Sequence, residues 1–97
     1  MSKKEINLET SLIPWHELQR FFASGLAISV NSSIDLVDVA YQFSLDNKAQ
    51  VEQWIAEEKV VPVSDQQALQ WFEEESSVWA VVIKPWVLVQ DRSDEKS

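Results

Sequence analysis

The sequence predicts an α+β domain in which about four helices pack on a small sheet with one long C-terminal strand. Two observations carry that class. The first is the run Trp79-Ala80-Val81-Val82-Ile83-Lys84-Pro85-Trp86-Val87-Leu88-Val89-Gln90, rich in β-branched and aromatic residues with Lys84 as its one charge. Such side chains suit a pleated, half-buried surface. Read as a single strand, it puts Trp79, Val81, Ile83, Val87 and Val89 on one face and Ala80, Val82, Trp86 and Leu88 on the other, so both faces need cover. The second observation is that helix-period apolar stripes alternate with short extended pieces ahead of this run. The order is helix, strand, helix, helix, short strand, helix, long strand. A winged-helix-like arrangement is the alternative for the opening four elements, with Asp46-Asn47 as the turn between two central helices.

Residues 1–9 are polar and read as a flexible N-terminal segment, 10–91 as a single α+β domain and 92–97 as a flexible charged tail. The first helix is expected over Ser11–Gly25: Pro14 suits a first turn, Trp15, Leu18 and Phe22 form a stripe, and Gly25, the sole glycine, suits a left-handed residue at the end. Leu26 to Val30 alternates large and small residues as a strand, closed by Asn31-Ser32-Ser33. Ser32 is the candidate cap of a second helix whose stripe is Leu36, Val39, Ala40 and Phe43. Asn47 caps a third helix, about Lys48 to Lys59, that buries Val51, Trp54 and Ile55. Val60 to Val63 is a short strand, and Pro62 confines it to an edge or bulge. Ser64, with Gln67 three residues on, opens a fourth helix with Ala68, Trp71 and Phe72 inward. Its end, Glu73-Glu74-Glu75, sets three negative charges at the negative pole of the helix dipole, which fits a solvated last turn or an acidic docking surface. Lys84-Pro85 is not expected to be a two-residue hairpin, because the favoured turn needs positive φ at both positions; a bend at Pro85 within one long strand is expected.

Composition excludes several function classes. The 97 residues are 45% hydrophobic, with five Trp and four Phe, which suffices for an independent core. There is no cysteine, so disulfides, thiolate zinc sites and thiol catalysis are out. The start Met1-Ser2-Lys3-Lys4-Glu5 lacks the apolar segment of a signal peptide, and no apolar run reaches the ~20 residues of a membrane span. The expected location is the cytoplasm. A net charge of −8, with only Arg20, Lys48, Lys59 and Lys84 as cations in the body, predicts no binding to nucleic acid or to an anionic membrane.

The segments Ile13-Pro14-Trp15-His16-Glu17-Leu18-Gln19-Arg20-Phe21-Phe22-Ala23, Val51-Glu52-Gln53-Trp54 and Trp79 to Gln90 resemble a bacterial family of short acidic single-domain proteins classed as a domain of unknown function. The resemblance spans Asn7 to Gln90. It implies a bacterial cytoplasmic protein and carries no catalytic residue over to this chain. One departure is Glu58, where a glycine is expected to close the third helix; a frayed or extended end is expected instead.

The chemistry-bearing residues are few. His16 is the sole histidine, and neighbouring Glu17 points about 100° away on a helix, so a surface histidine is expected rather than a ligand or base. Asp35 and Asp38 are i, i+3 neighbours that could hold Mg²⁺ with a phosphate, yet no glycine-rich phosphate loop accompanies them. No cofactor or metal is expected. Trp15, Trp54 and Trp71 fall on apolar stripes and are assigned to the core, whereas Trp79 and Trp86 lie on opposite strand faces, so one is free to anchor a partner beside Lys84 and Pro85.

The leading functional expectation is a non-catalytic bacterial protein-interaction module or small homodimer, acting through Glu73, Glu74, Glu75, Trp79, Lys84, Pro85 and Trp86. The alternatives are a small-molecule binding protein or enzyme with a Trp-lined acidic pocket using Asp35, Asp38 or His16, and a winged-helix-like regulator working through protein contacts.

Overall fold

A computed structural model of the chain describes residues 2–91. The tail at 92–97 expected to be flexible, and Met1, lie outside the described residues. The element order is α1 (Lys3–Glu9), β1 (Ser11–Pro14), a 3₁₀ turn (Trp15–Leu18) running into α2 (Gln19–Ala23), β2 (Ala27–Val30), α3 (Leu36–Ser44), α4 (Lys48–Ala56), β3 (Val60–Pro62), α5 (Asp65–Glu73), β4 (Ser77–Ile83) and β5 (Trp86–Asp91). The five strands make one mixed sheet in the order β1-β4-β5-β2-β3; only β2 and β5 run parallel.

The α+β class stands, but the long C-terminal strand folds back on itself. β4 and β5 pair antiparallel from Ile83↔Trp86 to Val78↔Asp91, with Lys84 and Pro85 between them and their peptide bond cis. A turn with cis-proline at its third position belongs to a different class from the mirror-image turns that proline's fixed φ forbids. The fold-back also changes which residues share a face. In register, Trp79, Val81, Ile83, Trp86 and Leu88 now lie together, so Trp79 and Trp86 are on the same face and not on opposite ones.

Both faces of the hairpin are covered, as its apolar pattern requires. On one side Ile28, Val30, Val60, Val81, Ile83 and Leu88 meet Ile6 of α1 and Leu36, Val39 and Ala40 of α3, with Trp54 of α4 packed at the margin. On the other, Val78, Ala80, Val87 and Val89 meet Trp15 and Leu18 of the 3₁₀ turn and Ala68 and Trp71 of α5, with Phe21 and Phe22 beside them. Trp15 and Trp71 stack at 4.9 Å between ring centres. Of the edge or bulge expected for Pro62, the edge holds: β3 is an edge strand, with Pro62 opposite Ile28. β1 forms the other edge and also ends in a proline.

Several local expectations are corrected. Residues Lys3–Glu9, expected to be flexible, form α1, because Ser2 and Glu5 close a capping box and Ile6 is fully buried. The single helix expected over Ser11–Gly25 is instead β1, the 3₁₀ turn and α2: Ser11 to Pro14 pair with Ala80 to Ser77, and sheet pairing overrides the helical stripe. The cap of α3 is Asp35, whose carboxylate accepts the Val37 N–H at 2.9 Å, and not Ser32. Asn47 and Ser64 cap α4 and α5 as expected. α3 and α4 do form a helix–turn–helix pair at Asp46-Asn47, but it lies on one face of a five-stranded central sheet, so the winged-helix-like alternative is set aside. On α4, Trp54 is half-buried and Ile55 is 50% exposed; on α5, Phe72 is 53% exposed. Each sits at the edge of its helix's buried stripe, where the periodicity alone gives no boundary.

Four helices end the same way, each with a left-handed residue whose N–H and that of its successor turn back to the last helical carbonyls. Gly25 does this for α2 at φ +76, as expected, but Asp46, Glu58 and Glu75 do it without glycine at φ 55, 59 and 51. α4 is therefore not frayed at Glu58; Lys59 N–H reaches the Trp54 carbonyl at 2.9 Å.

Two stability outcomes follow. Trp71→Ala should cost about 3–5 kcal/mol in urea unfolding, while Trp54→Ala, cut from a half-buried site, should cost about half as much; equal losses would contradict the burial pattern. Glu58→Gly and Glu75→Gly should each stabilise by roughly 0.5–1 kcal/mol, since glycine removes the left-handed penalty at a smaller entropic cost. A lower melting temperature for both would show that their side chains do more than close a helix.

Candidate functional site

The sheet presents one end at which β2 and β5 begin and β3 finishes, and there the α3–α4 pair stands off the sheet. The gap is a cleft of about 510 Å³, within the ~300–1,000 Å³ range of small-ligand sites. Its floor is Ile28, Val60 and Trp86, its wall Phe43, Val51 and Ile55, and its polar lip the turn Asp46-Asn47-Lys48. The local chain explains the opening. Asp46 in the left-handed conformation ends α3, Asn47 immediately starts α4 by accepting the Gln50 N–H at 3.3 Å, and α4 buries none of its residues fully. A helix so loosely seated leaves Ile55 half exposed in the cleft wall.

A second hollow, about 390 Å³, lies on the opposite face between the 3₁₀ turn and the end of α5, lined by His16, Trp71, Phe72, Glu73, Glu75 and Ser76. Below it, Trp15 is buried, its indole N–H has no acceptor among the described residues, and its backbone N–H bonds the Ser76 carbonyl at 2.9 Å.

The residues expected to form one interaction surface are thus divided. Glu73, Glu74 and Glu75 are exposed at the end of α5, just before β4, and Gln70 and Ser76 each donate to Glu74 at 3.4 Å. Lys84 and Pro85 are exposed at the far end of β4, about 24 Å of extended strand away. Trp86 is half-buried at the floor of the first cleft, whereas Trp79 is half-buried at the other end of the hairpin, beside Asn7 of α1 and Leu36 of α3. His16 joins Glu73 and Glu75 rather than Asp35 and Asp38.

Of the polar groups weighed for a Trp-lined acidic pocket, His16 lies with Trp71, Glu73 and Glu75 in the second hollow, and Asp35 and Asp38 do not join it. Asp35 is occupied as the cap of α3, and Asp38 pairs with Lys3 of α1 at 2.9 Å. Both carboxylates are engaged within the chain, one at a helix cap and one in a surface ion pair. No cluster of three or more His, Cys, Asp or Glu suited to a metal occurs among the described residues. Sequence reasoning missed Ile55, Phe43 and Val51 as cleft walls, since an apolar stripe looks the same whether its neighbour touches it or stands off.

The profile of a family described as "Protein of unknown function (DUF2288)" matches residues 1–91. A solved structure, the NMR solution structure of PA1075 from Pseudomonas aeruginosa, superposes with a TM-score of 0.85 at 35% identity, covering 95% of this chain and 85% of that one. No curated protein matches the chain. No helix among the described residues is long and apolar enough to cross a membrane.

The α1 contacts generate a pH prediction. The Ser2 backbone and hydroxyl bonds hold the Glu5 carboxyl below its ordinary range, so their contribution is present at neutral pH and is lost as the pH falls through that lowered value. The Asp38 bond and charge raise the Lys3 ammonium, so its contribution is present until strongly alkaline pH and lost above the ordinary lysine range. Amide exchange at Ile6 and Thr10 should therefore be slow across neutral pH and show extra opening at both extremes. Glu5→Ala should remove the acid limb alone; an unchanged acid limb in that variant would disprove the cap.

Proposed function

The chain belongs to the family of proteins of unknown function designated DUF2288, and we propose that it is a non-catalytic protein-interaction module whose contact surface is the cleft between α3–α4 and the sheet. The observation that carries this reading is the cleft itself: an apolar floor and wall, with Ile55 of that wall half exposed and the few polar groups confined to the lip. Such a surface suits one or two large apolar anchors from a partner, with Trp86 as the aromatic hot spot. Lys84 and Pro85, at the tip of the β4–β5 hairpin next to Trp86, would form the adjoining rim.

The partner we favour is a different protein carrying net positive charge. Two copies of a −8 chain repel, and extension of the sheet by a second copy is opposed at both edges by Pro14 and Pro62. The small homodimer is the less supported form of the same proposal. A nucleic-acid partner is disfavoured by that charge as well. A bacterial cytoplasmic setting belongs to the proposal too, supported by the Pseudomonas aeruginosa structure and by a chain without cysteine.

Site-specific photo-crosslinking tests it. A crosslinking residue in place of Ile55 should yield one discrete adduct with a second protein in cells, and the same group in place of Ser33 should not. Trp86→Ala should abolish the adduct while leaving the circular dichroism spectrum intact. No adduct, or one unaffected by Trp86→Ala, would remove the cleft as the contact surface, and an adduct of two copies of this chain would refute the charge argument.

A further inference from the structure

On the opposite face of the sheet, α5 leaves an apolar stripe without cover. Ala68 and Trp71 face the core, and a turn of the helix away from them Asp65, Leu69 and Phe72 align at i, i+4 and i+7. Leu69 is 56% exposed and Phe72 53%, and at i, i+3 they are near neighbours. Isolated surface apolar residues need no explanation; this pair is set apart by its surroundings. α5 and its last turn contain no Lys, Arg or His, and carry Asp65 at one end and Glu73, Glu74 and Glu75 at the other. The 3₁₀ turn packed against it adds Glu17 and His16, and α2 adds Arg20.

We infer that this face is a second docking surface, taking an amphipathic helix whose apolar stripe is flanked by lysine or arginine. Charge complementarity selects that occupant over others. Asp65, Glu73, Glu74 and Glu75 lie on α5 and its last turn with no cation among them, and Glu73 and Glu75 share a hollow with Phe72, so a neutral apolar segment would forgo the attraction and an acidic one would be repelled. The hollow between Phe72, His16, Glu73 and Glu75 gives a flanking cation an aromatic wall and carboxylates within one recess. The helical form of the occupant follows from the spacing, because a stripe of two apolar residues one turn apart is matched by another helix laid along it. The site is independent of the α3–α4 cleft, from which the sheet separates it.

The test uses a designed helical peptide with Leu and Phe one turn apart and flanking lysines, and a matched peptide with glutamates in place of the lysines. In ¹H–¹⁵N spectra of the intact chain, the basic peptide should shift Leu69, Phe72, Glu73 and His16 and leave Ile55 and Trp86 still. Affinity should fall about tenfold or more in Phe72→Ser, and by a similar factor when Glu73→Gln, Glu74→Gln and Glu75→Gln are combined. It should also weaken as salt rises from about 50 to about 300 mM, and Ile55→Glu should leave it unchanged. Circular dichroism confirms that each variant folds; Phe72 is half-exposed, so its removal leaves the core in place. No binding, equal binding of the acidic peptide, or shifts centred on Ile55 and Trp86 would overturn the inference, the last of these by assigning the peptide to the other cleft.

Discussion

Burying both faces of the β4–β5 hairpin is the constraint on which the rest of the molecule depends. Val87, Leu88 and Val89 are consecutive and fully buried, which is attainable only if the sheet is an inner layer. With each such side chain worth about 1.5–3 kcal/mol of burial, neither face can be left to water. The remaining elements are placed accordingly, α1, α3 and α4 against one side and the 3₁₀ turn, α2 and α5 against the other. Gln90 ties the hairpin to the loop after β2. Its side-chain amide donates to the carbonyls of Asn31 and Ile34 at 3.1 and 2.7 Å, holding β5 beside β2 in their parallel register.

That layered arrangement was legible in the sequence wherever one signal dominated. The apolar parity of Trp79 to Leu88 announced two-sided cover, and the caps Asn47 and Ser64 sat where short polar side chains precede helical stripes. It was illegible where two local signals were nearly equal. Ser11 to Phe22 has a helical stripe, but its first four residues find partners in β4, which is distant in the chain. α1 was hidden because it contributes one fully buried side chain, Ile6, and a short polar segment with a single anchor looks like a solvated terminus. The hairpin was hidden by weighing proline only against turns that require positive φ.

The candidate sites were legible in part, for a related reason. Periodicity locates the centre of a helix's apolar stripe and says little about its margins. Ala68 and Trp71 were placed correctly; Phe72, one residue on, lies at the margin and faces out. Ile55 stands in the same relation to Val51 and Trp54. Charge is legible without periodicity: three glutamates in a row close α5 with no cation on the helix. What the sequence could not give was that His16 would join them, since the 3₁₀ turn that carries it meets α5 through tertiary contacts, the stacking of Trp15 on Trp71 and the bond from Trp15 N–H to the Ser76 carbonyl.

The same layering restricts where a molecule of this design can make contacts. The sheet faces are consumed by the core, and the two sheet edges each carry a proline that removes a ladder donor. What remains are the outer surfaces of the helices and the ends of the sheet. Among the described helices, α4 is the one of nine residues or more without a fully buried side chain, and α5 carries two large apolar residues, Leu69 and Phe72, that are more than half exposed. These two elements cover opposite faces. A contact made through Ile55 and one made through Phe72 are therefore separated by the central sheet, so occupation of one leaves the other open in space, and the two can differ in chemistry, apolar in the first and cationic-amphipathic in the second.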